Sequence, residues 1–237
     1  MEMSNIVERR KMMKKFWGFY ENESYKIGCN GGTVYVYDKN DNELAKFKDI
    51  AYGYKAALKP GSNVIVVKST EGKLAVYDLE KLELVEKIRI TGIGAQDEGY
   101  AFSPDGKYFY NIEKPVYSTR TQLTVYNTTD FSVEKVLFRE REDMFLEELE
   151  FDEHTGNCYV LGFFRDNEGV YDYGFVGVFE DTEIINIKKI SNDTFDYLAG
   201  YKSWERTGFT EKSLEWSALK DLKHIEKISI KQVFEKY

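Results

Sequence analysis

Apolar and polar residues alternate with period two along much of this chain, the spacing expected of strands whose two faces meet different surroundings. Three stretches share one layout: "TVYVYDKNDNELAKF" from Thr33, "KLAVYDLEKLELVEKI" from Lys73 and "QLTVYNTTDFSVEKVL" from Gln122. Each reads as an alternating strand ending in Val-Tyr, an Asp or Asn, a short turn region and a second strand. The shared Asp or Asn falls at 38, 78 and 127, at spacings of 40 and 49. A weaker fourth copy, "GFVGVFEDTEIINIKKI", ends its first strand at Phe179 and Glu180, and a faint fifth is read in "HIEKISIKQVFEKY" at the C-terminus.

A second hairpin precedes each of three copies, in "AALKPGSNVIVV", "YAFSPDGKYFYNI" and "ELEFDEHTGNCYVLGF". Pro104 presets φ at the first central position of its turn, and Gly106 accepts the positive φ needed to leave it. Lys59-Pro60-Gly61 and His154-Thr155-Gly156 stand at the corresponding places. The repeating unit is therefore a four-stranded antiparallel sheet of about 40 to 50 residues, the size of a propeller blade. Through "FSPDGKYFY" followed by "LTVYNTTDFSVEKVL", the chain resembles β-propeller repeat proteins of the broad WD-repeat and YVTN type. That resemblance implies an all-β propeller of about five four-stranded blades. The chain departs from the WD signature, because Tyr-Asp, Tyr-Asp, Tyr-Asn and Phe-Glu stand where Trp-Asp would close each repeat.

The repeat settles how Asp38, Asn40 and Asn42 are read. Their alternation matches the first oxygen ligands of a calcium loop, but Asn40 aligns with Glu80 and Thr129, and Asn42 with Leu82 and Phe131. Glu43 stands where such a loop wants Gly, and Asp49 where it wants a bidentate Glu. The stretch is expected to be a polar turn in which Asp38 caps the chain reversal through local side-chain to backbone bonds. No metal site and no cofactor are expected.

Residues 1–15 read as a tail or short helix, and 16–237 as one propeller domain. Phe16 to Asn30 reads as two strands, and in circular propellers an N-terminal strand often completes the last blade. The stretch from Thr210 to Ile228 fits either a helix with Leu214, Leu219, Leu222 and Ile225 on one stripe, or a strand pair. The strand pair is favoured for tertiary reasons, and the sequence leaves both readings open.

Composition narrows the function. Aromatic residues make up 16%, with 18 Tyr and 16 Phe, which favours pleated, half-buried surfaces. A net charge of −8 argues against nucleic-acid binding and makes a basic protein partner electrostatically easier. Cys29 and Cys158 are too few for a disulfide framework or a cysteine zinc site. No apolar run reaches a membrane span and no signal-peptide h-region is seen, so a cytoplasmic location is expected.

Glu147, Glu148, Glu150, Asp152 and Glu153 before His154 form the densest acidic cluster, and alternation puts Glu148, Glu150 and Asp152 on one strand face, read as solvated. Neither His154 nor His224 stands beside a nucleophile, and "GCNGG" enters a strand rather than a helix. A length difference is more informative. Between the third and fourth strands so counted, one repeat has only "KSTEGK", while the next two carry "EKPVYSTRTQ" and "RDNEGVYDYG". Neighbouring loops on one face of a propeller would join Tyr117, Arg120, Arg165, Tyr171 and Tyr173 into one binding surface, residue types favoured at hot spots. The expectation is a non-catalytic module for protein–protein interaction, such as a bacterial immunity or inhibitor protein, rather than an enzyme. The alternative is a hydrolase or lactonase-like propeller using channel carboxylates and a divalent metal.

Overall fold

A computed structural model describes residues 15–16, 18–69, 71–90, 99–115, 120–199, 214–215 and 229–237. Within them the chain forms four antiparallel four-stranded sheets, each with its strands hydrogen-bonded in chain order. Blade 1 holds β2 (Gly18–Glu21), β3 (Tyr25–Cys29), β4 (Val34–Asp38) and β5 (Glu43–Phe47). Blade 2 holds β6 (Gly53–Leu58), β7 (Val64–Ser69), β8 (Lys73–Asp78) and β9 (Glu83–Arg89). Blade 3 holds β10 (Tyr100–Phe102), β11 (Tyr108–Glu113), β12 (Gln122–Asn127) and β13 (Val133–Leu137). Blade 4 holds β14 (Met144–Phe151), β15 (Cys158–Arg165), β16 (Tyr171–Glu180) and β17 (Glu183–Ile190). The fold is an all-β propeller. A separate two-stranded sheet pairs β1 (Lys15–Phe16) with β18 (Leu214–Glu215), joining a segment near the N-terminus to one near the C-terminus.

Side-chain to backbone bonds make the turns, as a chain with only three prolines requires. Asp38 Oδ1 accepts from the Asn40 and Asn42 amides at 2.8 Å each, which is the chain reversal expected of it. Asp78 Oδ1 accepts from the amides of Glu80 and Lys81, and Asn127 Oδ1 from that of Thr129. In the preceding turns Gly61, Gly106 and Gly156 all take positive φ, at 65°, 68° and 75°. One conformational need thus recurs in three blades.

The core is a series of seams between sheets. Ile27, Cys29, Val34 and Val36 of blade 1 pack on Ile65, Val67, Ala75 and Tyr77 of blade 2. Val66, Leu74 and Val76 meet Phe102, Phe109 and Tyr126 of blade 3. Ile112 and Leu123 meet Met144, Leu146, Leu149, Val160 and Phe175 of blade 4. Each such side chain contributes about 1.5–3 kcal/mol on burial, so neighbouring sheets depend on one another. Backbone bonds stitch the seams: Gly31 and Gly53 exchange bonds of 3.0 Å, and the Gly99 amide donates to the Glu147 carbonyl at 2.8 Å.

The last seam is closed by helices. Tyr159, Leu161, Val176 and Ile190 of blade 4 are covered by Phe195 of α1 (Asn192–Leu198) and by Ile230 and Val233 of α2 (Ile230–Lys236). The expectation of a fifth strand pair in "HIEKISIKQVFEKY" is therefore corrected over Ile230–Lys236. Ser229 and Gln232 form a reciprocal capping box there, and Ile230, Val233 and Phe234 recur at helical spacing against the sheet. Residues 224–228 lie outside the described residues, as do most of 210–225.

Candidate binding surface

The hairpins joining the second and third strands of blades 3 and 4 lie at the same end of the two sheets. Their roots converge on the β13–β14 connection. The Thr121 hydroxyl accepts from the Leu146 amide at 2.7 Å, and the Arg165 amide donates to the Asp143 carbonyl at 2.8 Å. Phe145 of β14 stacks on Phe163 of β15 with ring centroids 4.9 Å apart and planes 14° from parallel. The Arg165 guanidinium lies over both rings, at 5.3 and 5.6 Å. Lys114, from the root of the blade 3 hairpin, reaches 6.0 Å from the Phe145 ring. Each hairpin thus sends a cation to one aromatic pair, and such contacts are worth about 0.5–1 kcal/mol each where exposed.

Tyr171 joins this cluster, packing on Phe163 and on Phe195 of α1 at 5.3 and 5.7 Å, with its hydroxyl donating to Asn192 Oδ1 at 3.0 Å. Tyr173 does not. The β15–β16 register pairs Phe164 with Tyr173 and Arg165 with Tyr171, a bulge that sets the two tyrosines on opposite faces of the sheet. Tyr173 packs instead on Phe164, which in turn packs on Phe175, with the Lys189 ammonium 4.3 Å from the Tyr173 ring. Arg120 forms an ion pair with Glu142 and a longer one of 3.5 Å with Glu140. Tyr117 lies outside the described residues. Phe145, Phe163 and Lys114 are the residues that sequence reasoning missed, since their meeting depends on the register of β14 with β15 and on the docking of blade 3 against blade 4.

The acidic run of β14 is distributed among separate partners. Glu148 crosses from blade 4 to blade 2 and pairs with Lys55 at 3.0 Å. Glu150 Oε2 accepts from the Ile230 amide at the start of α2, at 2.9 Å. Asp152 holds Lys231 at 2.9 Å and also accepts from the Thr155 hydroxyl and the His154 amide. These donors hold its carboxyl well below the usual carboxylate range, Lys231 first. Glu147 is buried, because a bulge between Leu146 and Glu148 turns it inward. Alternation correctly places Glu150 opposite to Leu149 and Phe151, but its face is packed by α2 rather than solvated. Among the described residues, no group of three or more His, Cys, Asp or Glu side chains is arranged to hold a metal ion.

A second polar cluster lies inside the seam between blades 2 and 3. Glu113 is fully buried and accepts from Asn111 Nδ2 at 2.9 Å, Gln122 Nε2 at 3.1 Å and the Tyr126 hydroxyl at 2.5 Å. Burial and the adjoining carboxylate both push the Tyr126 phenol up. Nearby, Lys68 donates to the Ile112 carbonyl at 2.5 Å, tying the sheets together.

No family model matches this chain, and no curated protein matches it. Among solved structures, it is similar to hydrazine synthase of Kuenenia stuttgartiensis, with a TM-score of 0.60 and 13% sequence identity. The alignment covers 75% of this chain and half of that one. A likeness at this identity concerns the fold alone, a propeller with function carried by whichever side chains occupy its surfaces.

Proposed function

We propose that this chain is a non-catalytic binding module that mediates a protein–protein interaction through the rim of blades 3 and 4. The observation that carries the reading is the stacked Phe145–Phe163 pair roofed by Arg165 and flanked by Lys114 and Tyr171. Phe145 is itself buried and forms the floor, while the half-buried Phe163, Tyr171 and Arg165, held in place by packing on it, lose little freedom when a partner covers them, which is what makes such residues binding anchors. The carboxylates on which a hydrolase reading would draw support it too. Glu148, Glu150 and Asp152 are each committed to a cation or an amide of the fold. An immunity or inhibitor protein is one concrete form of such a module, suited to an acidic chain facing a basic partner.

Affinity capture from the source cells, with the chain as bait, tests the reading. Arg165→Ala combined with Tyr171→Ala should reduce recovery of a specific partner at least tenfold while the far-ultraviolet circular dichroism stays unchanged. Recovery equal to that of the parent bait removes the rim from the interface.

A further inference from the structure

At the opposite end of blades 3 and 4 lies a groove of about 560 Å³, walled by Tyr110, Phe151, Phe179 and Phe234. It continues past Tyr110, Lys135, Phe179 and Asp181 into a smaller hollow of about 200 Å³ that reaches Tyr108 and Glu134. The walls are fixed. Tyr110 packs edge-on against Phe151 and Phe179 at 5.0 and 6.1 Å, and Phe234 is held by Lys188, which donates to its carbonyl at 2.7 Å. The groove therefore presents half-buried aromatic rings without having to rearrange.

Its charge decides the occupant. Three carboxylates, Glu134, Glu180 and Asp181, line it against one ammonium, that of Lys135. None of these acids makes an ion pair with another described residue, whereas Glu148 and Asp152 of blade 4 are paired. The β16–β17 register also sets Glu180 directly opposite Glu183, with Asp181 between them in the turn. Like charges facing each other across a hairpin destabilise it, and a bound cation would relieve that repulsion. The aromatic faces suit the same ligand. The chain's own Lys188 already lies 4.1 Å from the Phe234 ring centroid, an ammonium–π contact of the kind a partner's lysine or arginine would make along the groove.

We infer that this groove docks a basic segment of a protein partner, one in which lysine or arginine side chains lie against Tyr110, Phe179 and Phe234 and meet Glu134, Glu180 and Asp181. The inference rests on the reading of the chain as a protein-binding module and gives that module a second surface with a stated preference. An acidic chain of net charge −8 adds long-range attraction for such a segment, but the groove supplies the local fit.

The test uses the full chain, isotopically labelled, and a peptide blocked at both ends with the sequence Arg-Leu-Arg-Tyr-Arg, titrated at low ionic strength. Amide shifts are expected at Asn157, Val178, Glu180 and Asp181. The triple variant Glu134→Gln, Glu180→Gln, Asp181→Asn should weaken binding about tenfold, the loss expected when close attractive charges are removed from an interface. A control that neutralises Glu23, Glu80 and Glu86 instead has the same net charge and should bind like the parent. Equal weakening in both variants would reduce the effect to overall charge and overturn the inference. So would shifts confined to the Arg165 and Tyr171 rim, or no binding at all. Self-association that the triple variant abolishes, without peptide shifts, would assign the groove to a second copy and overturn it as well. If capture from cells persists while the peptide ignores the groove, this inference fails and the binding-module reading stands. If the peptide maps to the groove while the rim variant captures its partner normally, the rim fails instead.

Discussion

Replacing Glu113 tests how much the buried network fastens β11 to β12 on the face that blade 3 turns to blade 2. Its carboxyl group accepts three hydrogen bonds, from Asn111, Gln122 and Tyr126, at a position with no solvent exposure. Glu113→Met keeps the length but strands three donors. Each buried donor without a partner costs about 1–3 kcal/mol, and partial relaxation or entry of water recovers some of it, so we expect a loss of about 3–5 kcal/mol. In a chain of this size each kcal/mol corresponds to about 2–4 °C in Tm, giving a fall of roughly 6–20 °C. Glu113→Gln should cost less, about 1–2 kcal/mol, because an amide oxygen still accepts from Asn111 and Tyr126 while only the side toward Gln122 meets a donor. Urea unfolding followed by circular dichroism measures both. Combining Glu113→Met with Tyr126→Phe should show coupling of about 1 kcal/mol or more, since the second change removes a donor the first has stranded. A methionine variant within about 0.5 kcal/mol of the parent, or strictly additive effects, would refute the network as a fastening.

Three further outcomes follow from the geometry. Gly99→Ala should destabilise by about 1–3 kcal/mol in a thermal melt, because a Cβ there would stand 2.7 Å from the Glu148 Cα and the Leu149 amide, backbone atoms that cannot swing aside; a variant melting with the parent would contradict the close approach of β10 to β14. The Asp105 carboxyl, held down to about 2 by the Ser103 hydroxyl and then the Lys107 amide, titrates below its unfolded value. The unfolded chain then binds more protons in that window, so stability is full above about pH 4 and falls toward pH 2, and Asp105→Asn should flatten that part of a pH series of melts. Cys29 and Cys158, both buried and both pushed up to about 12 by that burial, should react with a thiol reagent at pH 8 only at the rate of unfolding; rapid labelling of the native chain would show an opening between the blades.

The local devices of this protein are legible in its residues. Period-two alternation marks strands because successive side chains leave opposite faces of a pleat, and the repeated Asp or Asn marks the chain reversals because its short side chain reaches the next amides. Asp38, Asp78 and Asn127 do this at the expected places. The helices were less visible. Phe195 and Phe234 lie in segments too short for a helical stripe to stand out, and the capping box at Ser229 was obscured by the alternating "HIEKISI" before it. Of the rim, the sequence showed two long hairpins with Arg165 and Tyr171, and it placed Tyr171 with Tyr173 because alternation allows no bulge. One extra residue, Asp172, facing the step from Phe164 to Arg165, separated them.

By itself, then, the sequence determined the strands and turns of the four blades, the blade as the repeating unit and the propeller as the way to bury both faces of each sheet, but not the helices that close blade 4. These follow from interactions between residues close in the chain and from the need to cover alternating apolar faces. The tertiary structure decided which side chains meet across blades: Arg165 over Phe145, Glu148 with Lys55, Glu150 at the start of α2, and the acids of Glu134 and Asp181 beside Tyr110. Those meetings depend on register, on single-residue bulges and on how one sheet docks on the next. Each is fixed by packing between distant segments, so a periodic sequence pattern does not record it.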